Sequence, residues 1–226
     1  MCGRFARTEP VQRYAQYLSE PADGPGGFEQ PAYNITPGVT IPAFCRLGSG
    51  TIGWRGFHWG YRPAWTGDGG KAVINARVET VASKPYFRQS FADARRLLIP
   101  ASGWFEWQRD QGKRQPYYFS PPQGPLFFAG LYTQLPQSDS TETRFGATIL
   151  TCQAPAPLGE IHHRMPLLVQ ASADLAAWLS GKPLDANWID RRLRSELPEI
   201  RYWAVSAKVN RAGTDGAELI EPKTGD

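Results

Sequence analysis

The sequence predicts an α+β fold: a single domain over residues 1–226, with a curved, barrel-like, mostly antiparallel central sheet and a few flanking helices. Three observations carry this expectation. Helical periodicity is confined to the two ends of the chain, while the middle is a series of short β-like runs separated by turn residues. The 23 glycines and 20 prolines supply those turns and follow no period. Neither an internal repeat nor a polar linker divides the 226 residues, a length that one well-buried core accommodates.

Near the start, Val11, Tyr14, Ala15 and Leu18 fall at helical spacing, with Thr8 as N-cap and Pro10 in the first turn. Glu20–Pro31, rich in Gly and Pro, reads as a loop. Strand-like runs follow at Thr40–Arg46, Thr51–Trp59, Val73–Glu79, Leu97–Ile99, Gly103–Arg109, Tyr117–Phe119, Leu126–Tyr132 and Phe145–Thr151. Arg109–Arg114 (RDQGKR) has the composition of a hairpin turn between two of them. Helical patterns return at Ala171–Leu179 and Ala186–Leu197, and strand-like Tyr202–Val205 and Glu218–Ile220 close the chain.

Composition removes several function classes. With 41% hydrophobic, 20% charged and 12% aromatic residues the chain is too apolar to be disordered. No run approaches the roughly 18 apolar residues of a membrane helix. Three cysteines without a CxxC, and three histidines, argue for a reducing compartment and against a structural zinc site, so neither metal nor cofactor is expected. The N-terminal MCGRFARTEP has no apolar stretch of the kind a secretory signal needs. The expected location is cytoplasmic or nucleoid-associated, or nuclear in a eukaryote. The net charge is +4, and 19 of the 25 basic residues are Arg, the side chain that grips phosphate in bidentate fashion. Eight Trp, nine Tyr and eleven Phe could stack on bases or simply fill a core.

Four segments could carry chemistry. Methionine aminopeptidases remove Met1 when residue 2 is small, so the mature chain is expected to start at Cys2. Its α-amine, with a reference pKa of about 7.7–8.0, would stand beside a thiol. Such a 1,2-aminothiol condenses with an aldehyde and closes a five-membered thiazolidine, a step favoured by its intramolecularity. Glu106 lies in Ser102-Gly103-Trp104-Phe105-Glu106-Trp107, where desolvation among aromatics would raise its pKa towards that of a general acid or base; an ordinary exposed strand Glu would have the same sequence. In Ile161-His162-His163-Arg164-Met165-Pro166, adjacent histidines on a strand would point to opposite faces, so one of them is expected to reach a given pocket. In Ile74-Asn75-Ala76-Arg77-Val78-Glu79-Thr80, Asn75, Arg77 and Glu79 share one strand face and Ile74, Ala76 and Val78 the other.

Taken together these segments resemble the SRAP (SOS response-associated peptidase) family. The resemblance is carried by Met1-Cys2-Gly3-Arg4-Phe5, Tyr33-Asn34-Ile35-Thr36-Pro37-Gly38, and Trp59-Gly60-Tyr61 with Pro63 and Trp65. It continues through Asn75–Thr80, Gly103–Trp107, Ile161–Pro166 and Val209-Asn210 with Glu218-Leu219-Ile220-Glu221-Pro222, in family order over essentially the whole chain. It implies a protein that senses abasic sites in single-stranded DNA and shields them by a covalent cross-link, Cys2 forming a thiazolidine with the ring-opened sugar aldehyde, within the DNA-damage response. It further implies Asn75, Glu106 and His162 as active-site companions of Cys2. Arg4, Asn34, Pro37, Trp65, Arg77, Thr151 and Arg164, with Lys84 in addition, fall at DNA-contacting positions. Abasic-site lyase and autopeptidase activities are accompanying expectations. The expected partners are abasic single-stranded DNA and replication-fork proteins, without a membrane, for a monomer. Two other readings stand beside this one: an N-terminal-nucleophile cysteine peptidase or amidase, and a non-catalytic reader of modified DNA.

Overall fold

A strand that begins at the fourth residue is the pivot of the architecture. The computed structural model describes residues 2–67, 69–110, 113–136, 144–184 and 187–223. The chain runs β1 (Arg4–Arg7), α1 (Val11–Ala15), β2 (Ala32–Ile35), β3 (Thr40–Arg46), β4 (Ile52–Trp59), β5 (Asn75–Arg77), α2 (Arg88–Ala92) and β6 (Arg96–Ala101). It continues with β7 (Gly103–Asp110), β8 (Lys113–Ser120), β9 (Leu126–Gln134), β10 (Phe145–Gln153), β11 (Arg164–Pro166), α3 (Ser172–Trp178), α4 (Trp188–Arg194) and β12 (Arg201–Ala204).

One sheet has the order β12-β8-β7-β1-β2, and the other β11-β10-β4-β3-β6-β9 with β5 beside β10. Because β9 pairs back onto β10, the second sheet closes into a curved ring. It is not a strict barrel. β3 and β6 meet through the single pair Phe44↔Leu98, and β4 joins β10 through two pairs, in parallel. β5 is also parallel to β10, so the antiparallel expectation gives way to a mixed sheet at that strand.

The sheets are welded by aromatics. Phe5 and its register partner Trp104 both point into the ring: Phe5 meets Trp59 edge-on at 5.3 Å and Phe128 at 5.7 Å, and Trp104 meets Phe128 at 6.2 Å. The opposite face of the first sheet holds a smaller core of Ala6, Phe105, Tyr118, Val205, Val209 and Leu219. Gly103 allows its strand to lie this close to β8, since a Cβ there would stand 2.3 Å from the Phe119 carbonyl oxygen. Trp178 of α3 seals the ring, its indole N–H donating to the Leu97 carbonyl at 2.8 Å. Among the described residues no helix is long and apolar enough to cross a membrane.

The structure corrects the expected elements in several places. β1, β2, β11 and α2 were not expected. β1 buries Phe5, Ala6 and Arg7 and β11 buries all three residues, so period two, which needs one polar face, is absent from both. The Val73–Glu79 strand is shorter, because Val78–Thr80 turns into a 3-10 helix, although burial still alternates as far as Glu79. Glu218–Ile220 is not a strand: Ala217–Leu219 is a 3-10 turn that packs Leu219 under the first sheet. Thr8 does not cap α1. Pro10 occupies that position, and the Thr8 hydroxyl instead lies 2.7 Å from the Ser102 hydroxyl. The hairpin around Arg109–Arg114 is formed by β7 and β8, with its tip residues Gln111 and Gly112 outside the described residues, as is Ala186 ahead of α4.

Phe5→Ala tests the weld. Losing a fully buried aromatic that bridges two sheets should cost about 3–5 kcal/mol, measured as a lower midpoint in denaturant unfolding.

Candidate functional site

β1 lies between β2 and β7 with the register Arg4↔Phe105, Phe5↔Trp104 and Ala6↔Gly103, so the residues just ahead of Arg4 run out beside Glu106. Cys2 is 0% exposed. Its carbonyl accepts a hydrogen bond from Asn75 Nδ2 at 2.9 Å, and its thiol lies 3.9 Å from the Arg4 carbonyl. Asn75 sits on β5, opposite Ile149 of β10, and so belongs to the ring sheet. The Asn75–Cys2 bond therefore joins the chain's amino end to the other sheet. Asn75 Oδ1 is buried and accepts no hydrogen bond from any described residue, which leaves one acceptor beside Cys2 for an N–H or hydroxyl.

Glu106 is 3% exposed on β7, and burial pushes its carboxyl up to about 7. Its Oε1 stands 3.9 Å from His162 Nδ1. The backbone N–H of Arg164 donates to that same Nδ1 at 3.0 Å. The Arg164 carbonyl oxygen lies at the same 3.0 Å from Nδ1, so the ring either accepts from the N–H or donates to the carbonyl according to its tautomer. Burial lowers the His162 pKa below its ordinary 6.5, with further lowering from the N-terminal charge, His163 and Arg109. Burial thus moves the carboxyl up and the imidazole down, bringing the two towards each other. Burial also raises the Cys2 thiol well above its ordinary value, and the negative charge of Glu106 adds to this. Cys2, Asn75, Glu106 and His162 thus converge from two sheets and the segment ahead of β11.

The histidines depart from the expected arrangement. His162 and His163 precede β11 and are not strand residues, and their rings stack at 4.6 Å rather than pointing apart. Both border a cavity of about 700 Å³ that also includes Glu106, Trp107, Arg109 and Arg114.

The residues with expected DNA contacts fall into three groups. Pro37, Trp65, Arg77 and Lys84 are exposed. Trp65, 68% exposed, rests edge-on against Tyr86 at 5.9 Å and presents the rest of its indole outward. Pro37 sits in a turn completed by Gly38, whose φ of +89° suits glycine. Arg164 and Thr151 form an internal support. Arg164 is nearly buried and grips Glu79 in bidentate fashion at 2.6 and 2.9 Å. Its Nη2 also donates to the Thr151 carbonyl and, at 3.3 Å, to the Thr151 hydroxyl. Thr151 is fully buried, so it faces Arg164 rather than a surface. Burial alone would raise the Glu79 carboxyl, but the hydrogen bonds and charge of Arg164, with Arg77, hold it below its ordinary value.

Arg4 and Asn34 brace the C-terminal segment. Arg4 donates to Asn34 Oδ1 at 2.9 Å, to the Val209 carbonyl and to the Asn210 carbonyl at 3.2 Å. Asn34 Nδ2 lies within 3.3 Å of the Val209 and Arg211 carbonyls and 2.8 Å of that of Thr214. Sequence reasoning missed the roles of Glu79 and Asn210 and the cavity-lining Arg109 and Arg114. The only signal of the last two was their place at the ends of RDQGKR, which reads first as a turn. Among the described residues no group of three or more His, Cys, Asp or Glu is arranged to hold a metal ion.

The chain is similar in sequence and in fold to known proteins. The abasic site processing protein YedK of Escherichia coli is 31% identical, with 98% of this chain and 100% of that one aligned. The abasic site processing protein YoqW of Bacillus subtilis is 30% identical, with 98% and 99% aligned. In three dimensions a protein from Bacteroides thetaiotaomicron superposes with a TM-score of 0.75 over 99% of this chain and 100% of its own, at 19% identity, which shows the shared fold. The sequence profile described as SOS response associated peptidase (SRAP) matches residues 1–212, and the chain belongs to that family.

Proposed function

We propose that this protein senses abasic sites in single-stranded DNA and shields them by a covalent cross-link through Cys2, once Met1 has been removed. The observation that carries the reading is the meeting of Cys2 with Asn75 and the Glu106–His162 couple at the junction of the two sheets. The relatives named for abasic site processing support the same substrate.

In this reading the protonated Glu106 donates to the ring oxygen of the abasic hemiacetal as it opens to the aldehyde. The Cys2 α-amine then attacks C1′, and loss of water gives an imine. The thiol adds to the imine carbon while its proton passes to the nitrogen, closing the thiazolidine, so the net reaction releases one water. His162 donates a ring N–H to the developing oxygen. Asn75 Oδ1 accepts from the amine or the sugar. A thiol held protonated by burial favours this amine-first order. It counts against the peptidase reading, in which a thiolate must attack first.

Exposed Trp65 stacks on or wedges against a base, and Arg77 and Lys84 contact phosphates. Arg164 and Thr151 act from behind by holding Glu79 and the strand that carries the site. Arg4 and Asn34 shape the neighbouring surface through the 209–214 segment. Single-stranded DNA suits the site because no base pair has to be opened. A monomer acting at replication forks, in the cytoplasm or nucleoid, completes the proposal.

The direct test is a denaturing gel and intact mass of the protein after incubation with abasic single-stranded DNA. The wild type should give a stable adduct, and a variant with an uncleavable N-terminal extension should bind DNA without giving one. An equal adduct from the extended variant would move the nucleophile elsewhere.

Cys2→Ala keeps the amine and deletes the sulfur. It should form a borohydride-trappable imine and nick the strand 3′ to the lesion, because the imine acidifies C2′–H and elimination breaks the C3′–O bond. The wild type should nick far less, since the closed thiazolidine is no longer an electron sink.

Glu106 makes a pH prediction. Its folded pKa of about 7 lies above the ordinary 4.5, so between those values the folded protein keeps a proton that the unfolded chain has released. Stability therefore falls as pH rises through this window. Glu106→Gln should gain stability relative to wild type from pH 5 to pH 8, up to about 3 kcal/mol, read from thermal or denaturant melts. The same variant should cross-link more slowly and lose the fall in rate that ionisation of Glu106 causes above pH 7.

A further inference from the structure

The β7–β8 hairpin carries two arginines in an arrangement that a protein alone has little reason to keep. Arg109 and Arg114 are direct register partners across the ladder. Cβ atoms so paired stand ~5 Å apart, and like charges in that position destabilise a sheet. Both residues are exposed, and among the described residues neither guanidinium makes a hydrogen bond or an ion pair. Both border the cavity of about 700 Å³ shared with Glu106, Trp107, His162 and His163. Two unrelieved guanidinium forks at the mouth of a reactive site call for an anion.

We infer that Arg109 and Arg114 form the seat for one phosphodiester of the DNA strand beside the lesion, and that filling this seat primes His162. The inference rests on the abasic-DNA reading and adds a contact to it. An oxygen pair of the phosphate satisfies both forks and removes the repulsion between them. The priming follows from charge. Arg109 lies close enough for its charge to disfavour a proton on His162. The other groups facing that imidazole are Glu106 from β7, the N-terminal ammonium and the stacked His163, with Arg164 contributing its backbone while its guanidinium grips Glu79. Glu160 borders the same cavity from the turn ahead of Ile161. A phosphate on Arg109 neutralises the cation that DNA can reach, so His162 holds a proton more readily when a strand is in place than when the site is empty.

The test compares wild type with Arg109→Gln/Arg114→Gln in two measurements. In the first, binding of lesion-free single-stranded DNA is followed against salt. Loss of the seat should reduce the slope of log K on log salt by about 0.7, the value for one neutralised phosphate on a single strand. In the second, ring-proton NMR follows the histidines, of which the chain has three. Lesion-free single-stranded DNA should raise the titration midpoint of His162 in the wild type and leave it unmoved in the double variant. Unchanged salt slopes, or equal His162 shifts in both proteins, would overturn the inference. The substitutions are at exposed positions, and relief of the repulsion should leave the melting temperature at or above that of wild type. Cross-linking of abasic DNA by the wild type in the same preparation separates the two levels: no adduct at all is failure of the abasic-DNA reading, whereas a wild-type adduct with unchanged slopes is failure of the arginine seat alone.

Discussion

Everything in this molecule turns on where its first strand is held. A chain terminus is ordinarily the most mobile part of a domain, yet here β1 is an interior strand of a sheet, with Phe5 wedged between Trp59 and Phe128 of the other sheet. Cross-strand pairing to β2 and β7 fixes its height, and the aromatic wedge fixes its tilt. The hydrogen bond from Asn75 then fixes the Cys2 carbonyl. A residue that would sample many positions on a free tail is confined to one, so the cross-linking proposed for Cys2 would carry little further entropy cost.

That confinement also explains the electrostatics. Placing the amino end between two sheets requires apolar surroundings, and those surroundings desolvate Glu106, His162 and the thiol together. The shifts oppose one another in sign because burial disfavours whichever form is charged: up for the carboxyl and thiol, down for the imidazole. A single physical cause thus brings the carboxyl up to about 7, lowers the imidazole and raises the thiol.

The sequence made the site more legible than the scaffold. Cys2, Asn75, Glu106 and His162 stand in short motifs of unusual composition, and the structure brings these four together. The long strands of the ring, such as Thr40–Arg46, announce themselves through branched and aromatic residues. β1 and β11 do not, because strands of three or four residues buried on both faces have no polar side to alternate with. Arg4 and Asn34 look in sequence like ligand-facing polar residues. Their placement as braces on a segment 175 to 206 residues downstream depends on tertiary packing that no local pattern encodes. The stacking of His162 on His163 was hidden for a related reason: the pair lies ahead of β11, where strand periodicity does not apply.

The brace between Arg4–Asn34 and the 209–214 segment has a consequence for the order of events during synthesis. β1 needs β7 on one side and β2 on the other, and the residues that lock its amino end leave the ribosome almost last. For most of translation the amino terminus is therefore a loose tail, open to the aminopeptidase proposed to uncover Cys2. Once residues 209–214 emerge and dock, that access closes and the same residue becomes part of a buried site. The last-made segment is thus the one that holds the first-made strand in place.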